Sequence, residues 1–228
     1  LNPGMSSFYS TDGALRPDSV CYVERPADKD LFQGLLGGEF CSVFTPGQTG
    51  KSSLMLRAAH KLRQHGIYVV TLDLAALPHK LAAADWYAEL LVQIGQPLEL
   101  ENELADFQRN NSHLSPVRRV FAALREVALP KLKARDEELL KSRKEARSQA
   151  SLSSFHAARG RLAIFLDGID ALSRLSFPTG EFWDEITQVY ERRKADPELT
   201  HLSFGFLGTA APGATRIQMV IAHSRLAG

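Results

Sequence analysis

Residues 45–54 read TPGQTGKSSL. Gly50, Lys51 and Ser52 fill the last three places of the phosphate-binding pattern G-x-x-x-x-G-K-[ST], and Thr45 stands where the pattern has its first glycine. Such a loop works because successive backbone N–H groups curl around a phosphate at a helix N-terminus, where the helix dipole is positive. In this register the cradle amides are those of Gln48, Thr49, Gly50, Lys51 and Ser52, with Ser53 near the α-phosphate. A side chain at Gly50 would meet phosphate, Lys51 brings a point charge to the β/γ oxygens, and the Ser52 hydroxyl suits Mg²⁺. Thr45 falls at the strand exit, before the cradle begins, and Pro46 lacks an N–H where the phosphate needs none. The bland alternative is a helix start with an ordinary serine cap and a solvated lysine.

A Mg²⁺ held by one hydroxyl and a triphosphate calls for a carboxylate as well. RLAIFLDGID supplies it: an apolar strand over 162–167 ends in Asp167, which is expected at the carboxyl edge of a parallel sheet, where ligands bind. The next residue is Gly168, and the nearest further carboxylate is Asp170. An Asp-Gly turn at Asp167 and a helix N-cap at Asp170 are the competing explanations. GTP-reading proteins carry an N-K-x-D strand end, and this chain contains no Asn-Lys pair, so adenine is the expected base.

The order of strand, TPGQTGKSS and helix, then IFLDGID, then a strand ending FLGTAAP resembles the AAA-like domain of the STAND class of P-loop ATPases. The segment CYVERPADKDLFQGLLGGEF is similar to the leading segment of the bacterial, largely cyanobacterial, branch often fused to WD-repeat propellers. The resemblance covers roughly residues 13–212 and is carried mainly by YVERPAD and GKSSLM. It implies ATP with Mg²⁺, held by Ser52 and Asp167. It also implies that Val23, Glu24 and Arg25 neighbour the base or ribose, and that a polar sensor sits after the fourth strand, where Thr209 is the match. The branch usually reads D-E-I-D where this chain has Asp167, Gly168, Ile169 and Asp170, so its water-activating glutamate is absent and Asp170 is the substitute. The resemblance thus implies a nucleotide-controlled signalling switch, with slow hydrolysis or with binding only. A nucleoside or small-molecule kinase would need an arginine-rich lid, and an origin-type DNA remodeller a basic winged helix; neither is evident after Pro212.

The elements that must position these residues can be read from periodicity. Residues 1–20 read as a flexible arm and 21–212 as one AAA-like domain, with a charged insertion at 131–160 and a short tail at 213–228. A helix opens near Asp28, a possible cap, carries Leu31, Leu35 and Leu36, and stops at Gly37–Gly38. Strands are expected at 40–44, 67–74, 162–167 and 201–208, β-branched or aromatic and nearly continuous in apolar residues, as buried parallel strands are. Helices are expected after the loop to Gly66, over Ala83–Ile94, from Ser115–Pro116 to about Leu129, and over 180–193, with 95–112 polar and irregular. The alternation predicts an α/β, three-layer P-loop NTPase fold of the additional-strand type, with sheet order five–one–four–three–two. IQMVIAH is the candidate fifth strand, and the lid is absent or truncated.

Composition bounds the rest. Of 228 residues, 44% are apolar and 23% charged, and the net charge of +1 gives no electrostatic case for nucleic acid or an anionic membrane. Lys131–Gln149 has seven basic and four acidic residues but no aromatic to stack bases, and reads as a solvated helix or partly disordered insertion. Cys21 and Cys41 make no metal spacing, no apolar run spans a bilayer, and no basic-then-apolar leader is seen, which together predict a cytoplasmic protein. Leu1 is not an initiator, so either Met5 is the natural start or the chain is a fragment. His60 and His65 are expected to serve a helix end, Trp86, Tyr87 and Trp183 the core, and Arg192 and Arg193 a helix dipole rather than a neighbour's phosphate. A protein partner or a second copy of the chain is the expected macromolecular contact.

Overall fold

The computed structural model describes residues 25–45, 50–145 and 159–209. The arm, Val23, Glu24, Gln48, Thr49 and the candidate fifth strand lie outside them. Four strands form one all-parallel sheet: β1 (Cys41–Phe44), β2 (Tyr68–Asp73), β3 (Leu162–Asp167) and β4 (Leu202–Gly208), in the order β1-β4-β3-β2. This is the expected order for the four described strands. Both faces are buried, as parallel pairing demands. Along β3, Leu162, Ile164 and Leu166 enter one core and Ala163 and Phe165 the other, the period-two alternation of a strand covered on both sides.

Seven α-helices lie among the described residues. The second core is closed by α1 (Pro26–Leu36) and α2 (Lys51–Gln64), whose Leu31, Leu35, Leu54, Ala58 and Leu62 meet Val43, Val69 and Phe165. The first core belongs to α3 (Ala83–Gly95), α4 (Glu101–Asn110), α5 (Pro116–Ala123), α6 (Leu129–Glu145) and α7 (Gly180–Arg192). Trp86 and Tyr87 are in that core as expected, and Trp183 packs at its border. Fully burying a side chain such as Phe165 contributes about 1.5–3 kcal/mol. Gly205 stands opposite Phe165 in the β3–β4 register, and a Cβ there would come within 2.6 Å of the ring, so only glycine lets that ring lie flat on the sheet.

Several local readings are corrected. Asp28 is not the cap of α1: Arg25 is the N-cap, Pro26 takes the first helical position, and the Asp28 carboxylate accepts from the Arg25 N–H at 2.9 Å. Residues 95–112 are not irregular but carry α4, held by Leu104 (1% exposed) and by the close approach of Gly95 to Glu101. The helix opened by Pro116 does not stop near Leu129. It passes through a π-turn (Leu124–Ala128) into α6, which buries Leu132 and Leu140. Asp136 ties α6 down by accepting from Tyr68 Oη and Gly160 N–H, both at 2.8 Å. Arg193 does not serve a helix end in solvent: its guanidinium stacks on Phe40 and Tyr190 and donates to the Leu202 carbonyl. His65 closes α2 with its ring against the Lys61 carbonyl, and His60 contacts Gln64.

Candidate functional site

In a parallel sheet every strand exits at one edge. The register pairs Phe44 with Gly208 and Asp73 with Asp167, so four distant segments leave the sheet side by side. Thr45 continues β1, its N–H donating to the Gly208 carbonyl at 3.3 Å. Among the described residues the non-glycine with positive φ is Glu99, so Thr45 needs no glycine's freedom. Gly50 does, at φ 81°, and it is the N-cap from which α2 starts at Lys51.

Lys51 Nζ donates to the Thr45 carbonyl at 3.0 Å, which brings the lysine back to the exit of β1. Ser52 Oγ donates to Asp167 Oδ2 at 3.0 Å across a separation of 115 residues. Ser53 is buried. The other Asp167 oxygen accepts from the Gly168 N–H at 2.9 Å, which fixes the carboxylate's plane. Gly168 is left-handed at φ 68° and starts a short 3₁₀ turn (Ile169–Arg174). Asp170 lies inside that turn and is not its cap. Its Oδ1 accepts from the Thr209 N–H at 3.1 Å, so the structure brings the two sequence-predicted catalytic positions together at the exit of β4.

Sequence reasoning missed Asp73. It is exposed at the end of β2 beside Asp167, with its Oδ1 accepting from the Ala75 N–H at 2.9 Å. The signal that found Asp167, an apolar strand ending in aspartate, was present in IYVVTLDL too.

Arg25 stands at the same edge, its Nε 3.7 Å from Asp28, whose side chain is 3% exposed. Among the described residues no three His, Cys, Asp or Glu side chains form a metal-binding group. The hydroxyl and carboxylate oxygens of Ser52 and Asp167 are nonetheless hard donors of the kind Mg²⁺ takes when water and phosphate complete its shell.

The comparisons agree with this architecture. A family model described as the AAA-like domain matches residues 10–134. The chain is 30% identical over 214 residues to an uncharacterized WD repeat-containing protein of Synechocystis sp.. That alignment takes in 93% of this chain and 16% of the relative, so the chain spans about a sixth of its length. No solved structure matches. The chain belongs to the AAA-like domain family.

Proposed function

We propose that this edge binds ATP with Mg²⁺ and that the chain is a nucleotide-controlled switch of the STAND class. The observation that carries the reading is the Ser52–Asp167 hydrogen bond directly behind the left-handed Gly50 and the start of α2. A hydroxyl and a carboxylate from two separate strand exits meet there at the positive end of a helix. On binding, Lys51 Nζ leaves the Thr45 carbonyl for the β/γ oxygens, and Ser52 Oγ and Asp167 hold the metal. The bound Mg²⁺ supplies charge neutralisation between the phosphates. Because Asp167 is followed directly by Gly168 and by the 3₁₀ turn that contains Asp170, a shift at Asp167 reaches the Asp170–Thr209 bond at the end of β4. The family membership and the alternating parallel fold support this reading. The size of the relative and its WD repeats support a module that works within a larger protein, where other parts meet partners.

A second reading, binding without hydrolysis, is favoured by one observation. Asp170, the candidate for orienting water, is already engaged by the Thr209 N–H, and Gly168 offers no side chain. Titration of a fluorescent ATP analogue decides the first point. Lys51→Ala removes charge-assisted hydrogen bonds worth about 1.5–3 kcal/mol and is expected to weaken binding roughly ten- to hundredfold. Equal affinity in the variant would sink the proposal, and binding of GTP alone would overturn the base assignment. Phosphate release from wild type and Asp170→Ala decides the second, since tight binding with no release selects the binding-only module.

A further inference from the structure

We infer that Arg25 reads the phosphate end of the nucleotide and not its base; the inference rests on the proposed ATP site. The family resemblance places residues 23–25 beside the base or ribose. The geometry places this one guanidinium elsewhere. Arg25 Nη2 and Nη1 lie 3.7 and 3.9 Å from the point that a Cβ on Gly50 would occupy. Gly50 is the position where a side chain would obstruct a phosphate, so the guanidinium stands at the mouth of the phosphate cradle.

Its electrostatic surroundings point the same way. Arg25 caps α1, and Gly50 caps α2. The two helices pack on the same face of the sheet, through Leu31, Leu35, Leu54 and Ala58, and both N-termini come to this edge. Helix N-termini favour anions and disfavour cations. The guanidinium stands beside two of them with the buried carboxylate of Asp28 next to it. A polyphosphate entering the cradle adds the opposite charge there. It meets two helix ends, Lys51 and a planar fork of N–H donors that suits phosphate oxygens. Asp28 is the positioning residue: its carboxylate accepts from the Arg25 N–H at 2.9 Å and lies 3.7 Å from Nε, holding the arginine at the start of its helix.

The test uses displacement of a fluorescent ATP analogue from the full chain by inorganic tripolyphosphate, and separately by GTP. Wild type, Arg25→Ala, Arg25→Lys and Lys51→Ala are compared, and nucleotide-free thermal melts show that each variant is folded. Arg25→Ala is expected to weaken the analogue and tripolyphosphate alike, roughly ten- to hundredfold, with the preference for ATP over GTP kept. Arg25→Lys, which keeps the charge but not the fork, falls between. Unchanged tripolyphosphate affinity in Arg25→Ala, with a lost preference for ATP over GTP, makes Arg25 a base reader and overturns the inference. Unchanged affinity for every ligand overturns it as well. Loss in Lys51→Ala with no loss in Arg25→Ala refutes the role of Arg25 alone. No loss in Lys51→Ala refutes the site on which it rests.

Discussion

Replacing Gly168 tests whether the missing glutamate could simply be put back. Gly168 sits at φ 68°, ψ 40°, a conformation that costs an L-residue about 1–2 kcal/mol. A Cβ there would lie 3.5 Å from Ala75 Cβ and 3.6 Å from Asp73 Oδ1, which is ordinary contact, so no steric penalty adds to the backbone strain. Loss of glycine's freedom in the unfolded chain returns about 0.4–1 kcal/mol. Gly168→Ala is therefore expected to destabilise by about 1 kcal/mol. Gly168→Glu adds a carboxylate beside Asp73 and Asp167, and two like charges about 4 Å apart in water repel by about 1 kcal/mol. Its total is about 2–3 kcal/mol, less than the roughly 5–15 kcal/mol by which domains are stable.

The functional expectation comes from direction. From a left-handed Gly168 the side chain sets out toward Ala75 and Asp73 on the β2 side, while Ser52 meets Asp167 on the other. Gly168→Glu is expected to leave phosphate release no faster than in wild type. Urea denaturation of both variants measures the strain, with an unchanged slope marking a change of stability alone. An alanine variant more stable than wild type would show that the positive φ is not kept in solution. A glutamate variant releasing phosphate faster than wild type would refute the directional argument.

Further outcomes are open to measurement. Asp136→Ala removes the acceptor of both Tyr68 Oη and Gly160 N–H and is expected to cost about 2–3 kcal/mol by urea denaturation, with Asp136→Asn recovering part. A cost below about 0.5 kcal/mol would mean that α6 is not anchored there. His201 is held below its usual titration range, first by burial, with Lys133 and Arg161 adding to the effect and Glu198 opposing it. The unfolded chain then takes up a proton that the folded chain refuses, so this residue lowers stability as pH falls below about 6.5 and has no effect well above it. His201→Gln is expected to flatten that part of the pH profile between about pH 5 and 7, and a wild type that gains stability on acidification relative to the variant would contradict the sign.

The parts of this molecule legible in its sequence are those where local pattern and tertiary environment agree. LAIFLD is apolar throughout because β3 is covered on both faces, and its boundaries can be read directly. The strand–loop–helix around Gly50 is legible for a similar reason: glycine, lysine and serine each answer a separate local need. α4 fails that test. In ENELADFQRN only Leu104 is fully buried, with Phe107 partly so, and the charged remainder conceals a helix that exists because Gly95 lets it lie against α3. α6 is only partly legible, since its buried Leu132 and Leu140 stand among charges and its Asp136 carboxylate meets partners 68 and 24 residues away. The start of α1 was misplaced at Asp28, although proline belongs at the first helical position and the aspartate two residues on then answers the cap. Arg193 over Phe40 was not legible, because nothing at a helix end announces a ring 153 positions upstream. The edge that holds the candidate site combines both kinds. Each strand exit is visible locally, but which exits stand together is decided by the order β1-β4-β3-β2, and only that order brings Asp73 to Asp167 and Asp170 to Thr209. A motif search therefore finds the residues proposed to hold a phosphate, while the pairing of Asp73 with Asp167 and of Asp170 with Thr209 becomes visible once the sheet is assembled.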